Sequence, residues 1–244
     1  MAILSFTGAT IWAGLSDLSN DTNDIVLNTM AAPLDTTNFA SAGWSSFQSG
    51  LRSAKLDVKG FTQIGTPDAP DDFFFGNIGV GGLPVTISPL GATVGNVCYL
   101  GTFLEPLYKT GAKVGALLTF DTPAVLDAPL VRGQVASVVA KTTTGTTAGI
   151  NLGAPTSTQR VYCNLHVLTV SGTGSPTLTA VLQGDTGSGF PAPVTVATSS
   201  AITAASSQQI KGAVGVTTST WYRLSLTISG TSPSFLLYAA IGVG

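Results

Sequence analysis

The chain has one histidine, His166, in the run "CNLHVLTV". A nucleophilic triad around it would need a carboxylate to orient the ring and a hydroxyl or thiol within reach. Strand alternation gives it Asn164 and Leu168 as same-face neighbours, which are neither, and no GxSxG turn occurs. A hydrogen-bonded or exposed strand histidine is the expected role. Acidic residues gather in two places. In "SDLSNDTND", Asp17, Asp21 and Asp24 lack the glycine and distal glutamate of a calcium loop, so a turn bonded to its own side chains is expected. In "TPDAPDDFFFG", Asp71 and Asp72 follow Pro70 and read as the start of a helix or strand. A carboxylate pair for glycoside cleavage is the competing chemistry, and no aromatic-rich groove accompanies it. "GNIGVGGLP" is glycine-rich, but a strand with proline follows where a dinucleotide site needs a helix. Cys98 and Cys163 lie in apolar runs without CxxC or metal-ligand spacing and read as small core residues. No catalytic residue, cofactor or metal ligand is expected, and the chain is read as a structural protein.

Composition narrows the setting. Of 244 residues, 9% are charged and 29 are glycine, with a mean hydropathy of +0.40. Soluble domains carry roughly 25% charge, so the apolar excess calls for cover. A membrane is not the expected cover, because the longest apolar stretch, "FLLYAAIGVG", falls short of the roughly 18 residues of a spanning helix. The start, "MAILSFTGATIWAG", lacks the basic flank of a signal peptide, which implies a chain cytosolic at synthesis. A net charge of -2 leaves no basic face to grip nucleic acid. Other subunits are the expected cover.

These residues sit on a chain dominated by alternation. In "RSAKLDVKG", Ala54, Leu56 and Val58 face one way and Lys55, Asp57 and Lys59 the other, giving a strand with one dry face. Further strands are expected at "DIVLN", "LPVTIS", "NVCYLGTFLE", "KVGALLTF" and "LVRGQVASVVA", with glycine and proline between them. A helix is expected in "TTNFASAGWSSFQSGLRS", where Trp44, Phe47 and Leu51 have helical spacing, Asn38 or Ser41 could cap, and Gly50 would end it. Residues 141–159 are polar and glycine-rich and read as a loop, linker or crossing arm. Closely spaced strands follow: "RVYCNLHVLTV", "TLTAVLQ", "PVTVAT", "QQIKGAVGV", "WYRLSLTIS" and "SFLLYAAIG". The domain division is therefore 1–140, a linker over 141–159, and a β-sandwich over 160–244. Within that sandwich "LTVSGTGSPTLTAVL" is echoed by "LTISGTSPSFLLYAAI", and each copy reads as a hairpin.

The first half, from "DLSNDTNDIVLNTMAAPLDTTNFAS" through "SGLRSAKLDVKGF", "PDDFF" and "GAKVGALLTF" to "PLVRGQV", resembles the major tail tube proteins of long-tailed bacteriophages over roughly residues 9–135. The resemblance implies a mainly β fold: a tail-tube-like β-sandwich or barrel with one short helix, followed here by a C-terminal β-sandwich. That second part is either immunoglobulin-like, ornamenting the outside of a hexamer, or a second tube-like domain that makes three chains a pseudo-hexamer. It implies a virion tail protein assembled in the host cytoplasm, with copies of itself and other tail proteins as partners, and viral DNA passing through the lumen without sequence-specific binding. On that reading Lys55, Asp57 and Lys59 are candidate lumen-facing residues, and Asp68, Asp71 and Asp72 a candidate assembly loop. A capsid decoration, adhesion or carbohydrate-binding module is the alternative.

Overall fold

The computed structural model describes residues 8–38, 44–65, 69–215 and 218–244, and among these the chain is mainly β, with one helix. The first half comprises β1 (Thr10–Ala13), β2 (Ser16–Asp17), β3 (Thr22–Asp35), β4 (Phe47–Phe61), α1 (Pro70–Asn77), β5 (Leu83–Ser88), β6 (Val97–Leu104), β7 (Lys109–Gly111), β8 (Thr119–Leu126) and β9 (Val131–Lys141). The second comprises β10 (Gly145–Thr146), β11 (Ile150–Asn151), β12 (Val161–Asp185), β13 (Val194–Thr198), β14 (Ser206–Lys211) and β15 (Trp221–Val243). One hydrogen-bonded path, β13-β12-β15-β9-β6-β5-β1-β2, joins the halves. The polar segment 141–159 supplies β10 and β11, both paired with β15, and buries Ile150.

The repeated motif has a different role from the two hairpins expected. β12 and β15 are single strands of 25 and 23 residues. They pair with each other from Val161 opposite Val243 to Asp185 opposite Trp221. Each copy of Ser-Gly-Thr lies mid-strand and bends it, with φ of +121° at Gly172 and +112° at Gly230. A Cβ on Gly172 would lie 2.9 Å from the Cα of Pro233, and one on Gly230 2.8 Å from the Cα of Pro176. The glycine of each copy therefore seats against the proline of the other. Pairing across copies won over pairing within them because the bent ribbon folds on itself, bringing Cys163, Leu165 and Val167 against Leu178, Ala180, Leu182, Leu224 and Leu237 in one core.

The opposite face of the same ribbon is dry as well. Tyr162, Tyr238 and Ala240 pack against Trp12, Cys98, Leu100 and Val135 of the first half. The Trp12 and Tyr238 rings stack with centroids 3.6 Å apart. Two polar side chains of β12 lie on this seam and are bonded across it. Asn164 Nδ2 donates to the carbonyls of Val85 (2.9 Å) and Gly101 (3.2 Å), while its Oδ1 accepts from Gln209 Nε2 at 3.1 Å. His166 Nδ1 lies 2.9 Å from the carbonyl of Gly14, which can only accept, so Nδ1 carries the proton and Nε2 accepts from Thr86 Oγ1 at 2.9 Å. The sequence expectation of a satisfied strand histidine holds, and its same-face neighbour Asn164 shares the task.

In the first half β1, β5 and β6 form a wall whose other face, Ile11, Ala13, Val85, Ile87 and Phe103, meets Leu56 and Val58 of β4, Phe120 of β8 and Phe74 of α1. Two expectations fail here. Phe47 and Leu51 lie in strand β4 rather than in a helix, and Trp44 lies in the segment leading into it; residues 39–43, with the expected cap Ser41, lie outside the described residues. Cross-strand pairing with β3, from Phe47 opposite Asp35 onward, overrides the helical spacing. The run "KVGALL" is the turn between β7 and β8, with Gly115 at φ +85°, so that strand begins only at Thr119. The helix among the described residues is α1, with Pro70 in its first turn and Asp71 and Asp72 complementing its N-terminal dipole. Cys98 and Cys163 are free and buried, as expected of small core residues, and burial pushes the Cys98 thiol up to about 12.

Burial holds the His166 imidazole down at about 4, against its ordinary 6.5. The folded state thus keeps its full advantage above pH 6.5 and loses it as pH falls through 4. The stability difference between wild type and His166→Asn, from urea titrations, should shrink by roughly 3 kcal/mol over that window. Gly230→Ala should cost about 1–3 kcal/mol through its backbone conformation alone. Gly145→Ala, where a Cβ meets nothing within 4 Å, should stay within about 0.5 kcal/mol in the same assay.

Candidate functional site

β3 and β4 pair over their whole lengths, but β8 accompanies β4 only from Lys55 to Phe61. β8 then turns to β6, where Leu126 lies opposite Phe103. The reason lies in the sequence. Ala54, Leu56 and Val58 supply a dry face as far as the core extends, whereas the preceding "FQSGLRS" has no such face. Beyond the fork, residues 29–35 and 47–54 form a two-stranded arm, and at about 3.3 Å per residue it is roughly 25 Å long. Isolated two-stranded ribbons are marginal in water. This one exposes Met30, Leu34, Phe47 and, at 88%, Leu51, with Trp44 at 81% beside it. Both of its strand edges lack a strand partner among the described residues.

A second apolar surface lies at the other end of β4. There Phe61 and Ile64 are exposed, the amide of Thr62 donates to the carbonyl of Leu118, and the β7–β8 turn presents Leu117 and a fully exposed Val114. The two surfaces are thus different and point along opposite directions of one strand.

Lys55, Asp57 and Lys59 lie together on the outer face of the β3–β4–β8 sheet. Lys55 Nζ is 2.9 Å from Asp57 Oδ1, and Lys59 Nζ is 3.8 Å from Asp24 Oδ2 on β3. Register extends this set. Lys59 is opposite Asp24 on one side and Asp121 on the other, and Asp121 is opposite Lys109. Four strands therefore carry a row of alternating sign, Asp24, Lys59, Asp121, Lys109, with Lys55 and Asp57 beside it. The second sequence-derived set is not brought to this face. Asp71 and Asp72 lie in the first turn of α1, whose Phe74 packs on the inner side of β4, and Asp71 accepts the Tyr108 hydroxyl at 2.8 Å. Asp68 lies outside the described residues.

Sequence reasoning missed the arm and the β7–β8 turn as surfaces. Their signal was present as apolar residues, Met30, Leu34, Val114 and Leu117, in segments where proline or glycine interrupts any burying period. Among the described residues no group of three or more histidine, cysteine, aspartate or glutamate side chains could hold a metal ion. No helix among them is long and apolar enough to cross a membrane.

No family model matches the chain, and no curated protein does. Among the solved structures to which the chain is similar are three from phage-like particles and phages. The tail of an empty gene transfer agent particle, refined with C6 symmetry, matches at 16% identity and a TM-score of 0.36, over 45% of this chain and 80% of that one. A chain from the virion of a native gene transfer agent particle matches at 16% identity and 0.41, over 52% and 97%. The SPP1 Dit protein, described as a hub adsorption apparatus in phages that infect Gram-positive hosts, matches at 11% identity and 0.37, over 97% and 99%.

Proposed function

We propose that this chain is a structural protein of a bacteriophage tail, whose copies polymerise into stacked rings that form the conduit for genome ejection. The observation that carries the reading is the pair of unlike apolar surfaces at opposite ends of β4, the arm and the β7–β8 turn. A two-fold pairing buries one surface against its own copy and leaves the other in water. Head-to-tail repetition buries both, and such heterologous contacts generate rings or open tubes. The free edges of the arm offer strand pairing between neighbours within a ring. The order of motifs shared with major tail tube proteins supports the same assembly, as a hexamer or a pseudo-hexameric trimer.

The charged row on the outer β3–β4–β8 face is the proposed lumen surface. Three lysines and three aspartates balance there, so DNA would meet no net basic wall to hold its phosphates by counterion release. The folded β12–β15 ribbon lies behind the β1–β5–β6 wall, on the far side of the core from that row. This layering supports an outward position for the second half, as an ornament rather than a second tube domain.

Purified protein should form tubes visible by negative-stain electron microscopy, and Leu51→Asp with Val114→Asp should abolish them while circular dichroism stays unchanged. A wild-type protein that remains monomeric at all concentrations would overturn the proposal. In assembled particles Asp57→Lys should slow DNA release with tubes intact; unaltered release kinetics would put this face on the exterior.

A further inference from the structure

Glu105 is the only glutamate of the chain, and it takes no part in the surfaces above. It follows β6, is 3% exposed, and lines a small cavity walled by Ile11, Leu56, Phe74, Val85 and Phe103. Thr122 is the only other polar side chain on that wall. The hydroxyl of Thr122 lies 2.8 Å from Glu105 Oε1 and 3.0 Å from the carbonyl of Leu107. A hydroxyl has one proton to give. If Glu105 were ionised, two acceptors would compete for that proton and a charge would sit in an apolar wall. If Glu105 is protonated, it donates to Thr122, Thr122 donates to Leu107, and the competition for one proton is removed.

The backbone around Glu105 joins two segments. Its carbonyl accepts from the amide of Gly79 at 2.8 Å, and Ile78, directly after α1, forms a β-bridge with it. Three residues on, Tyr108 stacks on Phe74 of α1 and donates to Asp71. The ionisable groups on α1 and residues 105–118 are Asp71, Asp72, Tyr108, Lys109 and Lys113, of which the two lysines are exposed, Lys109 in the outer row opposite Asp121. β1, β4 and β5 present only apolar side chains to the cavity, and β8 presents Thr122 and Ala124.

We infer that Glu105 is a proton-controlled latch: neutral, it ties α1 and the 105–118 segment to the core, and its ionisation releases them. The inference is independent of the tail reading. Burial raises Glu105 from an ordinary 4.5 to about 7, outweighing the opposite pull of the Thr122 hydroxyl. The closed state therefore keeps its full advantage below pH 4.5, loses it as pH rises through 7, and changes no further above that.

Because the chain has one glutamate, δ-carbon NMR of protein labelled with 13C-glutamate reports this group alone. A midpoint near 7 is expected, and one below 5 would overturn the inference. Hydrogen exchange of the full chain, corrected for intrinsic rates, should show opening of residues 70–79 and 105–118 rising roughly a hundredfold from pH 4.5 to 8 and then levelling. Glu105→Gln, neutral and able to donate to Thr122, should remove that rise; an unchanged profile in this variant would also overturn the inference. Should the variant fail to fold, the NMR midpoint of wild type still decides.

Discussion

The bent ribbon of β12 and β15 is the constraint from which the rest of the molecule follows. One half of it, residues 161–167 with 237–243, is a pair of strands with no wet face. A strand pair buried on both sides must lie between two layers, so the second half's own outer sheet and the first half's β1–β5–β6 wall are both required to complete it. A polar side chain in such a pair is costly unless bonded. This explains why Asn164 and His166 reach across the seam to the carbonyls of Val85, Gly101 and Gly14, with Gln209 of the neighbouring β14 completing Asn164. Those bonds also fix the register between the layers, since a one-residue slip would turn both side chains into an apolar core.

The same demand shapes the first half. Its wall is spent on both faces, one on the ribbon and one on β4, β8 and α1. β8 crosses from β4 to β6 to close that inner core, and in doing so leaves the start of β4 with β3 alone beside it. The arm is therefore a consequence of core closure: a ribbon continued by sequence past the point where its own molecule can cover it. Natural proteins usually shorten or charge such edges. Here the arm keeps Met30, Leu34, Phe47 and Leu51 exposed, and its described charges are Asp35 and Arg52.

What could be read in the sequence was whatever depends on neighbours two residues apart. "LPVTIS" is β5 without adjustment, and the dry and wet faces of "AKLDVK" are those of β4. The helix expected around Trp44, Phe47 and Leu51 failed because a spacing of three and four carries no information about a partner strand, and β3 supplies one. The hairpins expected at Ser-Gly-Thr failed for the same reason. Positive φ at Gly172 and Gly230 allows either a reversal or a bend, and only the alignment of one copy against the other decides. For the site, Lys55, Asp57 and Lys59 were legible as one face, while Asp24, Asp121 and Lys109 join that face only through registers between separate strands, Lys59 opposite both Asp24 and Asp121.

The apolar excess of the composition divides into two parts with different causes. Runs such as "FLLYAAI" and "RVYCNLHVL" are apolar because their strands are buried on both faces, and they need no second molecule. Had all the excess been of this kind, a mean hydropathy of +0.40 would describe an ordinary layered monomer. Among the described residues, the large apolar side chains more than half exposed lie, apart from Phe75, on or beside the arm and at the β7–β8 end of β4. Scattered singly, exposed apolar residues need no explanation. Gathered at the two ends of one strand, with open edges at one of them, they make a directional pair of surfaces, and direction is what a chain of identical copies requires to grow.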